Sequence, residues 1–353
     1  MNSHMDTSSA PRALIVGAGA GGLFCAERLL ADGWSVHQVS DRHLHTTTLL
    51  VAAGLIEPVG ADQPGRDTGD LIVIDPAAGT AETLAWCRQL VQSEAQGVVE
   101  RDVLLLGPSD ADVDVPWAAA VDGFGPAEPP PGQTRYSAAR TYRTFVVQPD
   151  LLVRRMLDEF HASERWRYER RRLDNLDAVF EFARTVADPP ELIVVAAGNY
   201  SGVFSERSAV RSAIGLVARQ HTSSPIAATQ SVTVSTTDTT FPYDIPATTM
   251  RTFGGSFLAG FDPADLAAAH VDDFAHVREE IVEALGDVGI SVPPDVTWLM
   301  GGRPVHPLGP HARLDVDGPI PVVHVAGLSG SGVTDGRSIG AAAVTLGNRA
   351  LRR

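Results

Sequence analysis

Gly17, Gly19 and Gly22 fit the spacing G-x-G-x-x-G, and Asp41 follows 19 positions after the last of them. Residues of these types in this order can hold a dinucleotide. Gly17 allows a tight turn, Gly19 lets the backbone approach a pyrophosphate, and Gly22 lets a helix pack closely on a strand. Asp41 can accept hydrogen bonds from ribose hydroxyls. The hydroxyls of Thr46, Thr47 and Thr48 could bond phosphates, although three threonines also read as a β-prone, solvated stretch. Near the other end, Gly327, Gly330, Gly332, Gly336 and Gly340 form a loop that can present backbone N–H groups to a ligand. A helix starting there would point its positive end at an electron-rich group. The glycine motif by itself leaves FAD and NAD both open.

These residues need a strand–turn–helix–strand frame. Ala13–Val16 reads as a buried strand, Phe24–Ala31 continues at helical spacing, Gly33 stops the helix, and Ser35–Val39 reads as a second strand. Leu192–Ala197 reads as another strand of the same parallel sheet, ending at Gly198. Pro321–Val325, the glycine loop and a helix over Ala341–Arg349 form a second unit of this kind. Between them the pattern predicts helices over Ala81–Ser93, Leu151–His161 (capped by Asp150) and Ala264–Leu285. Strands are predicted over Arg101–Leu106, Thr141–Val147, Ile214–Arg219, Gln230–Ser235 and Met250–Leu258, with Thr297–Met300 leading into Gly301-Gly302-Arg303-Pro304. Gly60–Asp70, Asp110–Gln133 and the segment around Pro242 and Pro246 read as irregular.

The chain has 353 residues, enough for about two domains. Its net charge of −15 and pI near 5.1 argue against nucleic acid or an anionic membrane as partner. All 28 positive residues are Arg, which excludes lysine Schiff-base chemistry. Cys25 and Cys87 make neither a metal spacing nor a disulfide framework, which fits a reducing cytoplasm. No apolar run approaches the ~20 residues of a membrane span, and no metal site is expected. Met1-Asn2-Ser3-His4-Met5 reads as a vector remnant with the native start at Met5, and residues 1–10 together as tag remnant and disordered leader.

Beyond the glycine motif, further pieces stand in order: Asp41-Arg42 followed by Thr46-Thr47-Thr48 and Val51-Ala52-Ala53-Gly54-Leu55; Val194–Gly198; Phe241–Pro246; Phe253-Gly254-Gly255; Gly302-Arg303-Pro304-Val305; and Gly327–Thr334, of which the threonine run with Val51–Leu55 and the Gly302–Val305 element are more specific than the glycine motif. In these pieces and their order, from about Pro11 to Leu346, the chain resembles the D-amino-acid oxidase family of FAD-dependent oxidoreductases. The resemblance implies non-covalent FAD and an α/β fold. In it, a Rossmann-like FAD-binding domain (11–62, 150–215 and 318–353) is interleaved with an α+β substrate domain carrying a mixed or antiparallel sheet (63–149 and 216–317). It implies that Asp41 and Arg42 lie near the adenosine and Thr46, Thr47 and Thr48 near the phosphates. Gly54 and Leu55 would lie near the flavin ring, Gly330, Gly332, Val333 and Thr334 on the pyrimidine side, and Gly198 would be a further cofactor-binding residue. Arg303 would grip a substrate carboxylate beside the flavin, with Tyr243 contacting the same group. Leu55, Glu57, Thr239 and Ser331 would complete the substrate pocket.

The departures from the family pattern matter as well. Thr239 replaces a second pocket tyrosine, Gln220–Thr240 lacks the family's aromatics, and Glu57 places a carboxylate that should repel an acidic side chain. The implied activity is oxidation of the Cα–N bond of a D-amino acid or related carboxylate-bearing amine, with O2 as acceptor and hydrogen peroxide as product. A secondary amine, a glycine-type substrate or a biosynthetic intermediate is the alternative within flavin chemistry. An NAD(P)-dependent dehydrogenase and a non-catalytic flavin-binding protein are the alternatives outside it. A homodimer is one option for the assembly.

Overall fold

A computed structural model describes residues 10–58, 64–132, 135–205, 209–235 and 239–353. The expected tag remnant therefore lies almost wholly outside the described residues. Two large sheets organise the chain. The first has eight strands in the order Arg66–Asp67, Leu71–Val73, His311–Asp315, Val322–Ala326, Leu192–Val195, Arg12–Val16, Ser35–Ser40, Trp166–Arg170. The last five run parallel, and the first three form an antiparallel margin.

Alternation explains why the parallel strands are apolar throughout. Ala13 and Ile15 face one core with the helices Ala20–Ala31, Pro149–Ala162 and Gly336–Ala350. Leu14 and Val16 face the opposite core with Leu176–Thr185. Both faces are covered, so neither can be polar. Ala20–Ala31 and Gly336–Ala350 lie side by side. A Cβ on Gly340 would come 2.5 Å from the carbonyl oxygen of Phe24, so the glycine is what admits this close approach.

The second sheet has nine strands. Its path runs Leu258–Phe261, Arg211–His221, Met250–Ser256, Thr240–Pro246, Gln230–Val234, Val98–Gly107, Ala138–Val147, Asp122–Ala127, and Thr297–Val305 pairs with Arg211–His221. Only Gln230–Val234 against Val98–Gly107 is parallel among these pairs.

Sheet membership departs from the expected boundaries. Residues 66–73 and 311–315, expected with the substrate domain, pair on the eight-stranded sheet, whereas Arg211–Gly215 belongs to the nine-stranded one. Short hairpin strands carry too little pattern to reveal which sheet they extend.

Three local expectations also change. The segment around Pro242 and Pro246 is a strand: Pro246 ends it, and the pairing register shifts between Thr240 and Tyr243, where Pro242 sits. The expected helix Ala264–Leu285 breaks into Pro263–Ala268 and Ala275–Asp287, because Asp273 accepts from the His270 backbone N–H at 2.8 Å and starts a new turn. The helix Pro149–Ala162 begins one residue before Asp150, which stands in its first turn and does not cap it. In the expected irregular stretch 110–133, Asp122–Ala127 pairs with Ala138–Val147.

One loop ties the two sheets together. The Gly54 carbonyl accepts from Val147 N–H at 2.8 Å, and Ile56 N–H donates to the Phe145 carbonyl at 2.9 Å. Arg219, 7% exposed, donates to the carbonyls of Leu50 and Ala52. The segment 50–56, which leads out of the nucleotide-type fold, is thereby pinned to the second sheet.

Candidate active site

The glycine turn is built for close approach. Gly17 has φ of +118°, and a Cβ there would lie 2.2 Å from the Ala196 carbonyl oxygen. A Cβ on Gly22 would lie 2.2 Å from the Gly17 carbonyl oxygen, so helix and strand meet backbone to backbone. Gly19 differs: a Cβ there meets nothing within 4 Å. It fronts open space at the start of Ala20–Ala31, a helix with no side-chain cap. Open space over unpaired N–H groups suits a pyrophosphate. Gly198 likewise borders open space, at φ of +59°.

Asp41 and Arg42 are exposed just past Ser35–Ser40. Thr47 is buried, and its hydroxyl has no hydrogen-bond partner among the described residues, which is what a missing polar ligand would leave. Thr46 instead bonds its hydroxyl to the His43 carbonyl at 2.9 Å, and Thr48 is exposed, close to Gly301.

The C-terminal glycine loop spans from this end to the second sheet. A Cβ on Gly332 would lie 3.1 Å from the Ala20 Cβ, and one on Gly330 would lie 3.8 Å from Arg303 Nη1. Val333 and Thr334 are buried, and the Thr334 carbonyl accepts from Thr83 at 2.6 Å. Ser331, expected in the substrate pocket, turns its hydroxyl back to the Leu328 carbonyl at 2.8 Å. The loop ends at Asp335, which sequence reasoning did not single out. It is fully buried, and neither carboxylate oxygen has a partner among the described residues. Burial lifts its pKa to about 7, and the nearby Ser331 offsets only part of this.

Arg303 and Tyr243 come from different strands and reach one place. Arg303 pairs opposite Ala213, Val217 opposite both Leu299 and Gly254, and Gly254 opposite Tyr243. Opposed residues share a face, and residues two or four apart return to it, so Arg303, Tyr243 and Arg219 project to the same side. The guanidinium of Arg303 lies over the rings of Phe241 and Phe257, at 5.2 and 5.9 Å. It fits against Gly215, where a Cβ would clash with Nε. Tyr243 lies flat on Gly254 and Gly255, since a Cβ on either would lie 2.6 Å from its ring. Burial lowers the pKa of Arg303, and among the described residues only the Tyr243 hydroxyl acts against this. No carboxylate among them pairs with Arg303. A half-buried guanidinium beside a phenol, with no carboxylate paired to it among the described residues, has the charge and the forked geometry to bind an external carboxylate.

Glu57 accepts a hydrogen bond from Tyr142 at 2.6 Å. Burial raises the pKa of Glu57 and drives that of Tyr142 well up. Leu55 packs between the group around Tyr142 and the group around Tyr243. Thr239 is exposed, with its carbonyl accepting from Phe257 N–H at 2.7 Å, so its side chain does not join this cluster.

A model of the FAD dependent oxidoreductase family, DAO, matches residues 12–346. The chain belongs to the DAO family of FAD-dependent oxidoreductases. No curated protein sequence matches it significantly. Solved structures share its fold at low identity. Glycine oxidase from Geobacillus kaustophilus matches at 15% identity and a TM-score of 0.68, covering 96% of this chain and 95% of that one. Iminodiacetate oxidase from Chelativorans sp. BNC1 matches at 18% and 0.63, covering 94% and 93%. Glycerol-3-phosphate dehydrogenase from Bacillus halodurans, complexed with FAD, matches at 14% and 0.63, covering 98% and 66%. FAD is the cofactor of the DAO family, and the open ground at Gly19 and the unpartnered Thr47 hydroxyl fit it.

Proposed function

We propose that this DAO-family enzyme oxidises the Cα–N bond of an amine that carries a carboxylate, such as a D-amino acid, glycine or an N-substituted glycine. Gly17, Gly19 and Gly22, with Asp41, Arg42, Thr46, Thr47 and Thr48, hold the nucleotide part of FAD. Gly54, Leu55, Gly198, Gly330, Gly332, Val333 and Thr334 border the ring. When bound, FAD would supply the redox chemistry, as acceptor of a hydride equivalent from Cα, with O2 as the final oxidant and hydrogen peroxide as its product. The protein supplies position. Arg303 and Tyr243 bind the carboxylate and so fix the Cα–H direction. Leu55, Phe241 and Phe257 exclude water around the anchor, which strengthens its hold on an anion. No general base is needed, because the neutral amine's lone pair assists departure of the hydride. The released imino acid hydrolyses in water.

The observation that carries this reading is Arg303: a guanidinium drawn out of solvent, without a counter-ion among the described residues, on the face to which segment 50–56 is pinned. The iminodiacetate and glycine oxidases of the same fold act on carboxylate-bearing amines by name, which supports the choice. The test is a panel of D- and L-amino acids, glycine and sarcosine with peroxide detection. Turnover of at least one, lost in Arg303→Ala, is expected. Peroxide formation that is indifferent to Arg303 would refute the assignment.

A further inference from the structure

The row of side chains that begins at Arg303 continues past Tyr243. Tyr243 pairs opposite Thr233, Thr233 opposite Leu105, and Leu105 opposite Arg140, two residues before Tyr142. Tyr142 therefore projects to the same side of the sheet as Arg303. The row holds a cation at one end and, through Tyr142, the Glu57 carboxylate at the other, with Tyr243 and Leu55 between them. Only Oε2 of Glu57 is engaged, by Tyr142; Oε1 makes no hydrogen bond among the described residues. The other ionised groups near the row are committed elsewhere: Arg219 donates to Leu50 and Ala52, Asp244 is paired with Arg251, and Arg140 with Asp110 and Asp114. Glu57 is the one acid among the described residues whose charge is felt at Tyr243.

We propose that Glu57 is a second anchor for substrate, and that the preferred substrates carry a cationic or amine group at the end remote from the carboxylate held by Arg303. This rests on the amine-oxidation reading above and names the substrate class within it: basic amino acids and their relatives. The charges are complementary. A carboxylate held partly out of water gains from a facing ammonium, which also favours its ionised form. An acidic side chain would meet Glu57 with the same sign and is selected against. Tyr142 holds Glu57 in place, and the rings of Trp117 and Phe124, 5.3 and 6.1 Å from that of Tyr142, brace the tyrosine.

The test uses the FAD-loaded protein. Hexanoate and 6-aminohexanoate, together with shorter pairs of the same kind, are titrated while the flavin absorbance is followed, which needs no turnover. At least one ω-amino acid should bind tenfold or more tightly than its plain counterpart. Glu57→Gln keeps an acceptor for Tyr142 while removing the charge, and should erase that preference. In parallel, the ratio of kcat/KM for lysine over norleucine, with both enantiomers tested, should exceed ten and fall at least tenfold in Glu57→Gln. If plain carboxylates bind through Arg303 but the amino compounds bind no better, the inference is overturned while the parent reading stands. If no carboxylate perturbs the flavin and no amine is oxidised, the parent reading itself fails.

Discussion

A Cβ on Gly215 would stand 2.7 Å from Nε of Arg303 and 2.9 Å from its Nη2, so the glycine is the bed on which the guanidinium lies. The clashing atoms are the free end of a flexible side chain. Gly215→Ala should therefore fold and take up FAD, yet turn Arg303 away from its ligand. Carboxylate affinity, read by titration against flavin absorbance, should fall at least tenfold. Retention of full affinity would show that the guanidinium adapts.

Arg303→Ala removes the anchor itself. Truncating one partner of a buried charge pair costs about 2–5 kcal/mol, so kcat/KM for carboxylate-bearing amines should fall by a factor of roughly 30 or more. Arg303→Lys keeps the charge and loses the two-pronged geometry, and should recover only part of the loss. Steady-state kinetics of the three proteins decide this.

Gly17 and Gly19 should separate folding from cofactor binding. Gly17→Ala drives a Cβ into the Ala196 carbonyl at a positive φ, and should destabilise the apoprotein. Gly19→Ala meets no protein atom, so the thermal midpoint of the apoprotein should hardly move. Its FAD affinity, measured by fluorescence quenching, should nevertheless drop at least tenfold, because the added methyl occupies the ground proposed for the pyrophosphate.

These glycines show what the sequence could and could not reveal. The turn, its helix and the parallel strands were legible because each residue answers a local demand: a sharp turn, an apolar run, a stop at Gly33. The ordered pieces from Thr46 to Thr334 pointed to the family and to Arg303 and Tyr243. Gly215, Arg219 and Asp335 were not legible, since their roles come from partners far away in the chain. Thr239 and Ser331 were expected in the pocket by sequence position. The structure gives Thr239 an exposed side chain and commits the Ser331 hydroxyl to its own loop. Pro242 and Pro246 read as loop because the register shift that admits a proline to a strand is not a local property.

Asp335 sets a pH dependence. Its pKa is about 7 when folded against an ordinary 3.8. Between those values the folded protein keeps a proton that the unfolded chain has released, so this group's effect on stability grows less favourable as pH rises from about 4 through 7. Asp335→Asn removes the effect. Its gain in thermal midpoint over the parent should be larger at pH 8 than at pH 5. An equal shift at both would mean that Asp335 is ionised throughout.

Cys25 and Cys87 are fully buried, and burial pushes both thiols up to about 12. Neither should react with a thiol reagent in the native protein, and both should react after denaturation. A thiol titration with and without guanidinium chloride checks this.

The most direct measurement is the flavin absorbance of the FAD-loaded protein mixed without oxygen with carboxylate-bearing amines. The expected result is loss of the oxidised flavin band with at least one of them, slowed or abolished in Arg303→Ala. A flavin that stays oxidised with every such amine, or one bleached equally well without the arginine, would contradict it.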